Sequence, residues 1–230
     1  MMNLQAEQEK AMTGAGVPAH EQVYRTLRAQ ILFGELEPGQ AVTIQGLTEQ
    51  LGAGMTPVRE ALRRLIAEGA LEFLGNRRIC VPVLDSAAVA QLTVARKALE
   101  PELARMAVAR VSPTQIAILR ETDRRLDRAI ARGDVRGYLE ENHRFHAQLN
   151  AMAHAPILTA LVEGLWLRFG PSLRVVCGLF GTRNLPDMHK DLLHALETGD
   201  SEAAARAMEG DVVQGMSQIA AGLGDSIDMK

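Results

Sequence analysis

The chain has 230 residues, of which 47% are hydrophobic and 23% charged, a balance typical of a globular protein with one large domain or two small ones. Aromatic residues make up only 3%, so aliphatic side chains must build the core, and helices are favoured over sheets. The formal net charge of -3 excludes a strongly basic protein, although local charge patterning can still mark a nucleic-acid surface.

The first 17 residues are polar, contain Gly14 and Gly16, and are interpreted as a flexible leader. They lack the basic start and apolar run of a signal peptide. The apolar stretch 157–180 is interrupted by charged residues and a proline, so no membrane span is expected. The two cysteines form no motif, which fits a reducing compartment. We therefore expect a cytoplasmic protein.

Three helical segments follow the leader. The first begins after Pro18, repeats apolar residues every four positions and ends at Gly34. The second begins at Thr43, which we expect to be its N-cap. The third has Thr56 as expected N-cap and Pro57 as expected first helical residue.

Two short strands, 71–74 and 79–83, come next, with Gly75-Asn76 opening the turn between them. Three helices followed by a hairpin predict a winged helix-turn-helix domain over 18–84. The stretch 55–84 is locally basic in an acidic chain, because five arginines stand against three glutamates: Arg59, Arg63, Arg64, Arg77 and Arg78 against Glu60, Glu68 and Glu72.

The run VYRTLRAQILFGELEPGQAVTIQGLTEQLGAGMTPVREALRRLIAEGALEFLGNRRICVPVL resembles the GntR family of bacterial regulators, and TPVREALRRL is close to the recognition-helix signature of that family. The resemblance implies a DNA-binding domain that reads double-stranded DNA. Two departures are visible: Gly54-Met55 stands where the family commonly has Ser-Arg, and Arg78 replaces the usual glycine of the wing. Base preference is expected to shift accordingly, and the wing is expected to bind phosphate more strongly.

Helical periodicity leaves positions 56, 59, 60 and 63 on the open side of the third helix. In a helix-turn-helix this side faces the major groove, where Arg59 suits a bidentate contact to guanine. The helix start at Thr56 suits a phosphate. The alternative is an ordinary solvated helix face. The full set of expected DNA-binding residues is Arg28, Thr56, Pro57, Arg59, Glu60, Arg63, Arg77 and Arg78, in which Arg28 is implied by the family and the last two belong to the wing.

From residue 85 onward the pattern is helical throughout, which predicts an all-helical domain over 85–222 and a C-terminal tail over 223–230. Short loops between the helices favour an antiparallel bundle. The expected helices span 85–110, 113–132, 134–153, 156–179, 186–198 and 200–221. The fold class is therefore mainly α, a winged helix-turn-helix followed by an all-α antiparallel bundle.

The segments ARKALEPELARMA, ENHRFHAQL, HKDLLHALETGD and EAAARAM, in this order, resemble the FCD effector domain of the FadR-like GntR subfamily. Many of its members hold a divalent metal, and the resemblance places the ligands at Asn142, His146, His189 and Asp211. Asn142 stands where the family usually has Asp, and Asp211 where it has His. Imidazole and carboxylate ligands suit Zn²⁺, with Mn²⁺ or Ni²⁺ as alternatives. The competing interpretation is a pair of hydrogen-bonded cavity histidines without metal.

The same resemblance implies an effector that binds beside these four residues, with Arg96 pairing with its carboxylate. The alternative for Arg96 is an ion pair with Glu100, four residues later. His143, His154 and His194 are expected to be surface or structural, with His143 exposed. One of two further arginines, Arg168 and Arg174, is a candidate to face the cavity.

These features favour a transcription repressor: a homodimer on a palindromic operator, controlled by a small carboxylate metabolite. One alternative is an enzyme with a catalytic metal in the bundle, although no nucleophile–base pair or HExxH-like motif is present. Another is a sensor that has lost DNA binding, since Met55 replaces an expected arginine.

Overall fold

The computed structural model describes residues 17–74, 78–180 and 188–228. Its order of elements confirms the mainly helical fold class, with a small sheet after the N-terminal helices. The elements are α1 (Ala19–Leu32), β1 (Ala41–Val42), α2 (Ile44–Leu51), α3 (Met55–Ala67), β2 (Glu72–Leu74), β3 (Arg78–Cys80), α4 (Ser86–Val108), α5 (Pro113–Arg132), α6 (Val135–Met152), α7 (Pro156–Phe180), α8 (His189–Thr198) and α9 (Ser201–Asp228).

The first three helices form the expected three-helix unit, in which α3 packs against both α1 and α2. The hydroxyl of Thr43 accepts a hydrogen bond from the backbone N–H of Gly46, so the expected N-cap of α2 is confirmed. The expected N-cap of α3 is wrong. Gly54 is extended and caps the helix, and this places Thr56 at the second helical position and Pro57 at the third.

The sheet has three antiparallel strands in the order β1-β3-β2, rather than the two-stranded hairpin predicted from sequence. Ala41 pairs with Cys80 and Val42 with Ile79, while Phe73 faces Ile79 from the other side. A strand of two residues carries no detectable alternation, which explains why β1 is missed. The expected turn at Gly75-Asn76 lies outside the described residues.

In the C-terminal half, α9 lies along α4, and α5 lies along α6. Helix α5 begins with a capping box, in which Ser112 and Gln115 satisfy each other's backbone N–H groups. The bounds of these helices agree with the expected ones to within about three residues, except at one end. Helix α9 continues to Asp228, beyond the expected end at 221 and into the expected tail.

The two halves meet along α7, which packs against α1. A Cβ on Gly170 would collide with the carbonyl of Leu32, the last residue of α1, so only glycine permits this approach. Nearby, Arg28 donates a 2.7 Å hydrogen bond to Glu163 of α7. A second ion pair joins Glu35 to Arg136 of α6 at 2.7 Å. The helix that lines the interior of the bundle therefore also carries the N-terminal domain.

Candidate DNA-binding face and effector cavity

The outer face of α3 has the composition predicted for a recognition helix. Val58, Ala61, Leu62 and Leu65 are buried against α1 and α2, while residues on the other side are exposed: Met55, Thr56, Arg59, Glu60 and Arg63. Within the described part of the chain, neither Arg59 nor Arg63 makes an ion pair or side-chain hydrogen bond. Both guanidinium groups are therefore available to an external ligand.

Arg64 has a different role. Its guanidinium lies 3.5 Å from the centroid of the Tyr24 ring and donates to Glu68 at 3.0 Å and Glu21 at 3.1 Å. These contacts tie α3 to α1. Glu60 instead lies near His20, with 3.8 Å between its Oε2 and Nδ1 of that imidazole. The charge ladder that would make α3 an ordinary solvated face therefore does not form between Glu60 and Arg64.

The remaining expected DNA contacts lie on the wing and on α1. Arg78 is exposed at the start of β3, and Arg77 lies outside the described residues. Arg28 faces α7, where its guanidinium donates a hydrogen bond to Glu163. A phosphate contact by Arg28 would require this interdomain ion pair to open.

Inside the bundle, three of the four expected metal ligands come together. Nε2 of His146 on α6 lies 3.2 Å from one carboxylate oxygen of Asp211 on α9, and Nε2 of His189, the first residue of α8, lies 4.0 Å from the other. One nitrogen from each histidine and one Asp211 oxygen lie within 4.8 Å of one another. Three helices thus deliver two imidazoles and a carboxylate to one point.

Both imidazoles are buried, and none of their four nitrogens has an aligned hydrogen bond to a described residue. The short His146–Asp211 contact is close in distance but poorly directed. Buried polar atoms without partners are costly, whereas nitrogen and oxygen ligands around a shared point suit a divalent cation. The residues present therefore fit a metal.

Two further carboxylates stand behind the histidines. Oε2 of Glu100 lies 3.5 Å from Nδ1 of His146, and Oδ1 of Asp123 lies 3.5 Å from Nδ1 of His189. Sequence reasoning treated Glu100 only as a partner of Arg96 and missed Asp123. A detectable signal was present for Asp123, which lies on the buried stripe of α5 with Leu119 and Leu126.

The electrostatics of this cluster favour positive charge. Burial opposes protonation of His146, but the carboxylates of Asp211 and Glu100 outweigh it and raise the pKa of that imidazole. Burial likewise opposes ionisation of Asp211, which His146 and His189 overcome, and the pKa of Asp211 falls below its ordinary value. A bound cation would satisfy the same carboxylates.

A small cavity adjoins the cluster, with about 30 Å³ of free space, roughly enough for one or two water molecules. Arg96, Asn142, Trp166, Phe169 and Asp211 line it. The ion pair offered as the alternative for Arg96 is present, with Glu100 bound through Nε at 2.5 Å and Nη2 at 3.2 Å. The side chain also lines the cavity, and its pairing with an effector carboxylate stays a prediction. Its Nη1 stays free of described partners.

The expectation that His143 is exposed is wrong. Its ring packs edge-on against Phe33, the C-cap of α1, at 5.9 Å between centroids, and against Trp166 of α7 at 5.2 Å. Burial, followed by nearby positive charge from Arg28, lowers its pKa to about 4. His143 directly follows Asn142, so helical geometry places the two side chains about 100° apart around α6. The side of α6 that carries His143 is covered by α7 and by the end of α1.

The prediction that Arg168 or Arg174 faces the cavity is also wrong. Both side chains lie at the interface between the two domains. The guanidinium of Arg168 lies within 2.9 Å of the position that a Cβ on Gly69 would occupy, and the stem of Arg174 packs on Gly34. Neither arginine is among the residues that line the cavity beside Arg96. His154 and His194 are exposed, as expected.

Comparison with known proteins agrees with both halves. The family model "Bacterial regulatory proteins, gntR family" matches residues 19–81, and the FCD domain model matches 91–212. The HTH-type transcriptional regulator McbR of Escherichia coli (strain K12) is 30% identical over 204 residues, which cover 86% of this chain and 92% of that protein.

This chain belongs to the GntR family.

It is a transcriptional regulator with an FCD domain. A solved structure of E. coli McbR/YncC covers 92% of this GntR chain and 100% of that chain, with a TM-score of 0.81 and 29% identity. The HTH-type transcriptional repressor RspR of the same organism is 27% identical over 195 residues, 83% of this chain and 84% of that protein. Because these relatives are transcriptional regulators, the comparisons confirm the prediction of a regulator over the alternative prediction of an enzyme. Among the described helices, none has the length and apolar character needed to span a membrane.

Proposed function

We propose that this GntR regulator is a metabolite-responsive repressor that binds a palindromic operator as a homodimer. Two-fold operators match two-fold proteins, and a single winged helix covers little DNA. Repression is supported by the similarity to RspR, which is named a repressor. Base reading is assigned to Arg59, with Arg63 and Arg78 on the phosphates, because these side chains are exposed and have no described partner. Thr56, Pro57 and Glu60 flank them at the groove.

The sensor half is proposed to hold a divalent cation, with Zn²⁺ favoured on availability over Mn²⁺ or Ni²⁺. His146, His189 and Asp211 supply the ligands, and the observation that carries the assignment is the set of buried imidazole nitrogens that lack hydrogen-bond partners beside Asp211. Asn142, which lines the adjoining cavity together with Asp211, is proposed as a fourth, weaker ligand. A cation there would hold α6, α8 and α9 together.

The effector is proposed to be a small carboxylate in the same cavity. Arg96 keeps Nη1 free while Nε and Nη2 bind Glu100, and a guanidinium can serve two acceptors at once. Trp166 lines the cavity too, and its buried Nε1–H has no hydrogen-bond partner among the described residues. Two unused donors of this kind would recognise an anion.

The narrowness of the cavity supports a regulatory role. Free space of about 30 Å³ is too small for most metabolites, so a bound effector requires a wider state of the bundle. A ligand that binds one state better shifts the population toward it. Helix α7 carries Trp166 on its inner side and contacts Arg28 and Leu32 of α1 through Glu163 and Gly170. Widening the cavity would therefore move the DNA-binding domain.

The first experiment is metal analysis and calorimetry on the wild type and on the double variant His146→Ala/His189→Ala. His194→Ala is the matched control, since this exposed histidine lies on the same helix as His189. The proposal expects the wild type and the control to bind Zn²⁺ and the double variant to lose it.

A thermal-shift panel of small carboxylates, with and without EDTA, then tests the effector. If the double variant binds metal and carboxylate as the wild type does, the site lies elsewhere. If the wild type holds no metal but the double variant loses the carboxylate, the cavity assignment survives and the metal assignment fails.

A further inference from the structure

We propose that Glu100 and Asp123 are positioning residues that orient His146 and His189 so that both Nε2 atoms face the cation. The inference rests on the proposed metal site and deepens it. It starts from a repeated arrangement: each histidine has its Nε2 toward Asp211 and its Nδ1 at 3.5 Å from a second carboxylate. The two carboxylates come from different helices, Glu100 from α4 and Asp123 from α5.

The physical reason lies in the two ring nitrogens of histidine. In a neutral imidazole one nitrogen carries the proton and the other offers a lone pair, and only the latter binds a metal. A carboxylate beside Nδ1 stabilises the tautomer with the proton on Nδ1, because the opposite tautomer would set a nitrogen lone pair against carboxylate lone pairs. Nε2 is then left free to act as the ligand.

The carboxylates are themselves held in place, which a positioning role requires. Glu100 is fully buried and fixed by two hydrogen bonds from Arg96. Asp123, 3% exposed, has Nζ of Lys190 at 3.2 Å from Oδ2 and at 3.4 Å from Oδ1, and Oδ1 is also the oxygen near His189. A buried carboxylate is expensive unless it is paired. In both cases a cationic side chain contacts the two carboxylate oxygens, and one of these oxygens also lies near an imidazole.

Glu100 also connects the two proposed ligands. Its Oε1 accepts from Arg96, the expected anchor for an effector carboxylate, while its Oε2 accepts from Arg96 and lies near His146. The metal and effector positions therefore share this carboxylate.

The test compares Asp123→Ala with Asp127→Ala. Both aspartates contact Lys190, at 3.2 and 3.1 Å, but Asp127 lies on the surface and is not paired with a histidine. Zn²⁺ affinity is measured by competition with a chromogenic chelator. Loss of a carboxylate behind a ligating histidine typically weakens metal binding by about 10–100-fold, so Asp123→Ala should weaken Zn²⁺ binding by roughly that factor, and Asp127→Ala should leave it unchanged.

A second measurement needs no variant. The proposal expects Zn²⁺-loaded wild-type protein, labelled with ¹⁵N-histidine, to show His146 and His189 protonated at Nδ1 and bound to the metal through Nε2. A metal bound to Nε2 itself leaves the proton on Nδ1, so this measurement tests which nitrogen is the ligand, and the chelator competition tests the contribution of the carboxylate.

Coordination through Nδ1, or equal Zn²⁺ affinities for Asp123→Ala and Asp127→Ala, overturns the positioning role alone. A wild-type protein that binds no Zn²⁺ overturns the metal site and the positioning role together. The NMR measurement also stands if Asp123→Ala fails to fold.

Discussion

Gly34 lies at the contact between the DNA-binding domain and the effector domain, and a substitution there tests whether this contact is tight. Its φ is +67°, and a Cβ added to it would fall far inside the 3.0 Å limit of real Cβ contacts with Cβ and Cγ of Arg174. The comparison position is Gly133, which has the same φ of +67° at the end of α5 and nothing within 4 Å of an added Cβ.

The two alanine variants separate backbone strain from packing. A non-glycine residue in the left-handed region costs about 1–2 kcal/mol, and this cost applies to Gly34→Ala and Gly133→Ala alike. Only Gly34→Ala also forces two packed segments apart, which typically costs about 1–3 kcal/mol. The free energy of unfolding should therefore fall by about 1–2 kcal/mol for Gly133→Ala and by about 2–5 kcal/mol for Gly34→Ala.

Urea unfolding followed by circular dichroism measures this difference, and a melting curve provides a check, since each kcal/mol shifts the Tm of a chain this size by roughly 2–4 °C. Gly34→Ala should also weaken the response of operator binding to the effector, because the overlap lies between the domains. Equal stability losses for the two variants would refute the close interdomain packing on which the signal route depends.

The remaining predictions concern DNA, assembly and the buried ion pair. Arg59→Ala should cost about 1–3 kcal/mol of specific binding per half-site, and an unchanged footprint would contradict its role. Arg78→Ala should weaken all sequences evenly and lower the salt slope by about 1, measured by anisotropy across a salt series. Light scattering should give twice the 25.0 kDa chain mass at micromolar concentration, and a monomer mass would defeat the homodimer. Arg96→Ala should lower the free energy of unfolding by about 3–5 kcal/mol, because it leaves Glu100 buried without its cation; a loss under 1 kcal/mol in urea unfolding would contradict this.

Local signals in the sequence predict most of the fold. The apolar stripe of α3, the Thr43 cap and the loops around Gly133 depend on neighbours within one or two turns, and each is found where the pattern places it. The α3 cap is missed because Gly54 takes the extended conformation of an N-cap without any side chain to signal it.

Contacts between distant segments are harder to predict. Two predictions are wrong for this reason: that His143 is exposed, and that Arg174 can face the cavity. The end of α1 and the turn after it pack on both side chains, through Phe33 and Gly34. Helical periodicity describes one helix at a time and does not show which neighbour covers it. Family resemblance nevertheless placed His146, His189 and Asp211 together, because it transfers tertiary information that a single sequence lacks.

The most direct test of the account is the operator affinity of the wild type and of His146→Ala/His189→Ala, measured by fluorescence anisotropy with and without the strongest carboxylate from the thermal-shift panel. The account predicts that both proteins bind the operator with similar affinity, since Arg59 and α3 are untouched, and that only the wild type changes its affinity when the carboxylate is added. An equal response from the double variant would contradict the assignment of the buried histidine cluster as the sensor.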